Sequence, residues 1–475
     1  FPTRRSSDLA NLTTSQVAVL TADQIVSFTT DQISKLTAEQ MGAMTTSQIK
    51  SIATDDLQKL TAAQIQGITT DGVKALLAEQ VTAFTTAQIS KLTEAQVGVL
   101  SVQQAQALAT DDLPNLTNAQ VQALTATAVR NLSTDQLVSL TPTQVANMTT
   151  EQIVSLTTAD QVPALTTAQV NKLTGDQVAA MTTAQIVAIQ TADIQALNNT
   201  ALQSITTAGV KALTTDQVVA LTTAQISKLT AEQVAVMTTA QVAAIETADI
   251  SKLTNEQVAS ISTAGINALT AVASGQIEQL TASQLSSLTS AQVVALSTAA
   301  VAALSTAQIS KLTAEQVAVM TTAQIAAIET ADLVKMTNSQ IEAISTAGIV
   351  ALTTAQMNAI TTSQIKALTP AQITAIATDD IAVIGTDQLR LLSDEQVAAI
   401  STADIVALTT AQVVNMKATQ VAALTTAQIA SLEVADLKVL TQAQLNNMSQ
   451  GQWNAVTDKT VTGALFGGVK SAPYV

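Results

Sequence analysis

The sequence predicts an all-α superhelical solenoid with one very short helix per eight-residue repeat, and three observations carry that prediction. An apolar anchor, usually Leu, returns every eight residues from Leu12 to Met448. A second apolar residue stands at the sixth place of almost every unit: Val17, Ile25, Ile33, Met41, Ile49, Leu57 and, at the end, Trp453, with Ala105 the weakest. Thr or Ser mostly fills the second place and Gln the fifth. A fixed short period of this kind marks a stack of small units, each resting on its neighbours.

Neither regular alternative fits the period. In one continuous helix, eight residues advance about 800°, so the apolar stripe would drift about 80° per unit. In one continuous strand, places one and six have opposite parity and face opposite sides. A short helix over places three to eight fits. Thr at place two and Gln at place five form the T-x-x-Q capping box, and places one and six are the N′ and N4 ends of a hydrophobic staple. Leu36-Thr37-Ala38-Glu39-Gln40-Met41 holds both devices. Pro142 and Pro370 fall at the first helical position, where proline is tolerated. Acids gather early in the unit (Asp23, Asp31, Glu39, Asp135) and bases late (Lys35, Lys50, Lys74, Arg130), as a helix dipole favours. The abundance of Thr, Val and Ile leaves a β-solenoid as the alternative.

Taken in chain order, residues 1–11 are set apart from the array. Phe1-Pro2-Thr3-Arg4-Arg5-Ser6-Ser7-Asp8-Leu9 resembles a translated sequencing-adapter scar, and the native N-terminus with any export signal is expected to be missing. Residues 12–456 are expected to form the solenoid: 19 anchors from Leu12 to Leu156, 14 from Leu165 to Leu269 and 22 from Leu280 to Met448. Two intervals break the period, 156–165 and 269–280, and are expected to be kinks or tolerated turn insertions. A longer repeat overlies the short one. Asp at place five (Asp56, Asp193, Asp249, Asp332) is followed two units later by Gly (Gly72, Gly209, Gly265, Gly348), and a Lys precedes each Asp by three units. Residues 457–475 form a tail, a cap or the start of a truncated domain.

Composition excludes several classes of function. The formal charge of −15 opposes nucleic-acid binding. The chain has no His and no Cys, which removes the commonest general base and the thiol and imidazole metal ligands. No apolar stretch approaches the roughly 20 residues of a membrane span. The acidic pairs Asp55-Asp56, Asp111-Asp112 and Asp379-Asp380 read as N2 and N3 residues of helices more readily than as calcium ligands. No catalytic, cofactor-binding or metal-ligating residue is predicted, no cofactor is expected, and the chain is not expected to be an enzyme.

Two resemblances accompany this reading. Leu368-Thr369-Pro370-Ala371-Gln372-Ile373-Thr374-Ala375-Ile376 resembles the first helix of transcription-activator-like effector repeats, a likeness of capping pattern without their basic surface or reading loop. The whole array is similar to the L-T-T-x-Q-[IV] octapeptide regions of bacterial secreted and surface proteins, adhesin-like or of haem-utilisation type. That likeness implies an exported or cell-surface structural protein, an extended spacer or scaffold. Its partner would be a protein or cell-surface component, with self-association a further option. The alternative expectations are a peptide- or protein-binding solenoid and, from the Thr at place three, an ice-binding array.

Overall fold

The computed structural model describes residues 9–271 and 275–456, the side chains of 270 and 271 excepted. The chain divides into two compact units, Phe1–Met237 and Thr238–Val475. Each is an α-solenoid, and no strand occurs among the described residues. The β-solenoid alternative therefore fails, because the anchor and the cap residue after it are extended for only two positions and the chain then turns helical.

One unit shows the local logic. In the helix Ala38–Ala43, the cap residue Thr37 is extended, with φ −79° and ψ 163°. Gln40 donates its main-chain N–H to Thr37 Oγ1 at 3.2 Å, and Thr37 donates its own N–H to Gln40 Oε1 at 2.7 Å. This is the reciprocal box expected from the sequence, and it recurs along both units. Where the cap has no hydroxyl, as at Leu77 and Lys417, the glutamine arm alone survives, at 2.9 and 2.8 Å. The next anchor closes the helix, with Met44 donating its N–H to the Met41 carbonyl at 3.3 Å. Pro142 and Pro370 open their helices as anticipated. Asp23, Glu39 and Asp135 lie in first turns, and Lys50, Lys74 and Arg130 in last turns.

Helices of four to six residues cannot persist alone. Each therefore packs on the helix three units away, so one turn of the solenoid holds three units. In the first compact unit Ala38–Ala43 rests on Thr14–Ala18 and on Ala62–Gly67. In the second, Ala314–Ala318 rests on Asn338–Ala343. The residues at places one and six bury almost completely, as with Leu36 at 3% exposure and Met41 at 1%. The core is thus a double file of mainly aliphatic side chains, with an anchor and a sixth-place residue from almost every described unit and Phe28 and Phe84 as aromatic anchors.

The fifth-place glutamine also buries, and here the structure goes beyond the capping box. Gln40 donates through Nε2 to the Leu9 and Leu12 carbonyls at 2.9 and 2.7 Å. Gln144 reaches Leu113 and Leu116 at 2.8 and 2.7 Å, and Gln340 reaches Ile309 and Leu312 at 2.9 and 2.8 Å. The acceptors lie 31 and 28 residues earlier. They are the sixth-place carbonyl of the helix four units back, which also accepts the next anchor's N–H, and the carbonyl of that anchor, which the helix leaves unpaired. One carboxamide thus caps its own helix at the start and an earlier helix at the end. A second, exposed set of bonds runs the other way. Seventh-place side chains donate to carbonyls 25 residues ahead: Gln66 to Lys91 at 3.0 Å, Gln106 to Asn131 at 2.8 Å and Thr374 to Ala399 at 2.7 Å.

The two irregular intervals are absorbed without losing this pattern. At 156–165 the extra residue widens the box by one: Thr157 donates its N–H to Gln161 Oε1 at 3.0 Å across four positions, and Gln161 Nε2 still reaches Val129 and Leu132. Near 269–280 the helix Thr263–Ala271 runs long, and Gly275 adopts φ +67°, which its lack of a Cβ allows. Beyond it Gln284 reaches back 34 and 31 residues, to Ile250 and Leu253, and the ordinary 28-residue reach returns at Gln308. Residues 272–274, within the second interval, and 457–475, the tail, lie outside the described residues, as do 1–8. Leu9, set apart from the array on sequence, is fully buried and supplies an acceptor to Gln40.

The double role of glutamine generates a prediction. Gln152 accepts from the Thr149 N–H and donates to the Val121 and Leu124 carbonyls. Gln152→Ala should cost about 1–3 kcal/mol, read from hydrogen exchange across residues 121–155. Gln152→Glu keeps the box but turns a carboxylate oxygen on those carbonyls. It should cost more at neutral pH and recover part of the loss as pH falls, because the folded state then favours the protonated acid. Equal exchange in wild type and both variants would show that the glutamine bonds contribute nothing.

Candidate functional site

Among the described residues, the places where the array departs from glutamine are the ones that bring ionisable groups into the interior. Asp56, Asp112, Asp193, Asp249, Asp332, Asp380, Asp404 and Asp436 occupy place five and are buried. In the sequence, each is preceded by a Thr 26 residues earlier, at place three of the unit one turn back. The structure joins several of these pairs. Thr167 Oγ1 donates to Asp193 Oδ1 at 2.5 Å, Thr306 donates to Asp332, and Thr378 donates to Asp404 at 2.8 Å. Ser401 adds a second hydroxyl to Asp404 at 2.7 Å. The aspartate thus exchanges the two amide donors of glutamine for a hydroxyl donated to it by the neighbouring turn.

Asp436 shows the electrostatic consequence. Burial pushes its carboxyl above the ordinary value. The Thr410 hydroxyl opposes that shift, and Glu433 adds to it. Two solvent-facing acids behave in the opposite way. Glu232 and Glu315 are held below the ordinary value, first by hydrogen bonding to their own main chain and then by the hydroxyls of Thr230 and Thr313.

None of these groups converges on a reaction centre. Each acidic pair splits, with Asp56, Asp112 and Asp380 inward and Asp55, Asp111 and Asp379 in solvent. Asp111-Asp112 also differs from expectation. It precedes a 3-10 turn, Leu113–Asn115, and does not lie within an α-helix, because Pro114 at place seven has no N–H to continue one. Among the described residues no group of three acids could hold a metal ion. An ion pair, Lys74–Asp71 at 3.6 Å, is exposed and local. Among the described residues, Lys35, Lys172, Lys228 and Lys311 form no ion pair with the Asp three units on. The surface between turns is grooved but shallow and polar, as where Gln66, Lys91, Thr93, Glu94, Thr117 and Gln120 meet. Third-place threonines do not form unbroken files. Along one file three units apart, Thr30 and Thr54 give way to Ala78 and Val102, and along another Thr46 and Thr70 give way to Glu94.

A family model described as the ALTTAQ repeat matches residues 5–38, 49–86, 159–188, 186–223, 242–273, 298–328, 325–362, 373–410 and 397–434, more than half of the chain. The chain belongs to the ALTTAQ repeat family. The name describes the motif that the structure explains: the anchor's preceding Ala, the anchor itself, the capping Thr and the bridging Gln. No curated protein matches the chain. For this ALTTAQ protein the sequence named no site residue. The Asp–Thr correlation at 26 residues was the one signal available for the buried carboxylates, and it is visible only once the number of units per turn is known. No helix among the described residues is long and apolar enough to cross a membrane.

The raised Asp436 carboxyl gives a signed expectation. An acid whose folded value lies above its unfolded value stabilises the fold below the unfolded value and loses that contribution as pH rises through the folded one. Relative to Asp436→Asn, wild type should therefore weaken as pH rises from about 4. Thermal melts of the two proteins across that range would show parallel curves if burial of the charge were of no consequence.

Proposed function

We propose that this ALTTAQ protein is a structural spacer or scaffold and not an enzyme. The observation that carries the reading is the fifth-place glutamine bond, which ties most turns to the one before by the same geometry in both compact units. Units can then be added or removed in threes without altering any remaining contact. The sequence shows such copying, since residues 225–241 recur identically at 308–324. The acidic, polar exterior suits a part that must stay dispersed. A place on a bacterial surface, within an adhesin or extracellular filament, rests on the likeness of the repeat to regions of such proteins. The interrupted threonine files speak against the ice-binding alternative, which needs a continuous array.

Removal of residues 77–100, three whole units, tests the reading. Labels at residues 46 and 155 should move closer by about 10 Å, one helix–helix spacing, with circular dichroism and melting otherwise retained. Loss of folding, or an unchanged distance, would contradict a modular spacer. A specific stoichiometric partner recovered from cell-envelope extracts would favour a binding solenoid.

A further inference from the structure

We propose that the solenoid contains built-in seams, turns held to their predecessor by one fifth-place glutamine in place of three, and that it opens locally there. The clearest lies between the turn holding Asp112, Gln120 and Ala128 and the turn before it. Of the three fifth-place residues Gln120 alone keeps the bond, donating to the Leu92 carbonyl at 2.5 Å, and the exposed seventh-place Gln106 adds one tie across the seam, to the Asn131 carbonyl at 2.8 Å. Asp112 accepts the Ala109 N–H at 3.0 Å and has no hydrogen to return. Ala128 accepts and donates nothing through its side chain. The carbonyls that glutamines would have reached at these two places belong to Val81, Phe84, Val97 and Leu100. Among the described residues none receives a side-chain donor.

Packing is also thinned at this seam. Ala105, the smallest sixth-place residue, meets Ala128 and Leu132 in the core, where other units bring Val, Ile or Leu. The Asp112 unit has lost its α-helix to a 3-10 turn at Leu113–Asn115. Small side chains and missing turn-to-turn bonds lower the free energy of local opening.

The same spacing returns elsewhere. Asp56 and Gly72 lie 16 residues apart, as do Asp112 and Ala128, and Asp332 and Gly348. At Gly72 and Gly348 a side chain has no room, because a Cβ would come within 2.8 Å of Ile68 Cγ2 or Ile344 Cγ2. The Asp332 seam is partly closed by Thr306. In the turn of Asp193 and Gly209, the side chains of Gln190 and Asn198 supply donors to Pro163 and Leu173 at 2.7 and 3.0 Å. Seams therefore differ in strength: among the described residues, those at Asp56 and Asp112 have no such closing donor, and the one at Asp112 has the thinner core. The proposal concerns local stability and stands apart from the spacer reading.

Hydrogen exchange on the full chain tests it. Amides of residues 81–100 should exchange at least about tenfold faster than those of 137–156, although the 81–100 turn itself carries the consensus glutamines Gln88 and Gln96. Gln169 and Gln185 hold 137–156 through Leu137, Leu140, Ile153 and Leu156. Gln169→Asp with Gln185→Ala should make 137–156 fast, and Asp112→Gln with Ala128→Gln should slow 81–100. Equal exchange of the two segments in wild type, or a Gln169→Asp/Gln185→Ala protein with unchanged exchange at 137–156, would overturn the proposal.

Discussion

Everything in this architecture depends on one carboxamide facing two ways. A helix of under two turns leaves nearly all of its main-chain donors and acceptors unpaired, and burying such groups is costly. The fifth-place glutamine resolves both ends. Its oxygen accepts from the cap residue of its own helix, and its nitrogen donates to two carbonyls at the end of the helix four units back. Burial of the anchors supplies cohesion without direction, whereas these bonds set the vertical register. Glutamine suits the role because it carries an acceptor and two donors on one planar group at the required reach.

The exceptions follow from the same constraint. Aspartate is too short and lacks donors, so its place in the array is coupled to other changes. None of the eight buried aspartates has Thr at its second place, and every one has Thr 26 residues earlier. Where those threonines meet the carboxylate, the direction of donation between turns reverses. Glycine takes the fifth place where an isoleucine anchor, such as Ile68 or Ile344, fills the volume of the missing side chain. The long-range block pattern of the sequence thus acquires a local meaning: it marks where turn-to-turn coupling changes kind.

What was legible in the sequence was what is local. The capping box spans three residues, so Thr37 and Gln40 announce it directly, as Pro142 and Pro370 announce a first helical position. The second arm of the glutamine was not legible. Its acceptors lie 28 and 31 residues away, and that distance is fixed by how many units complete a turn, a sum of small rotations that no single unit reveals. The same ignorance hid the aspartate partners. Asp111-Asp112 was misread for a different reason. Its cap pattern suggested a helix, and Pro114 two residues on prevented it.

A stack whose units are interchangeable by threes is well suited to setting a distance and poorly suited to building a pocket, since every turn presents nearly the same face. The account stands on the glutamine bond between turns, and nuclear magnetic resonance of side-chain carboxamides reads that bond directly. In the full chain labelled at glutamine nitrogen, two populations are expected. Fifth-place glutamines such as Gln152 and Gln340 should have carboxamide protons strongly protected from solvent exchange, whereas exposed glutamines such as Gln58 and Gln103 should exchange freely. A single, freely exchanging population would contradict the account.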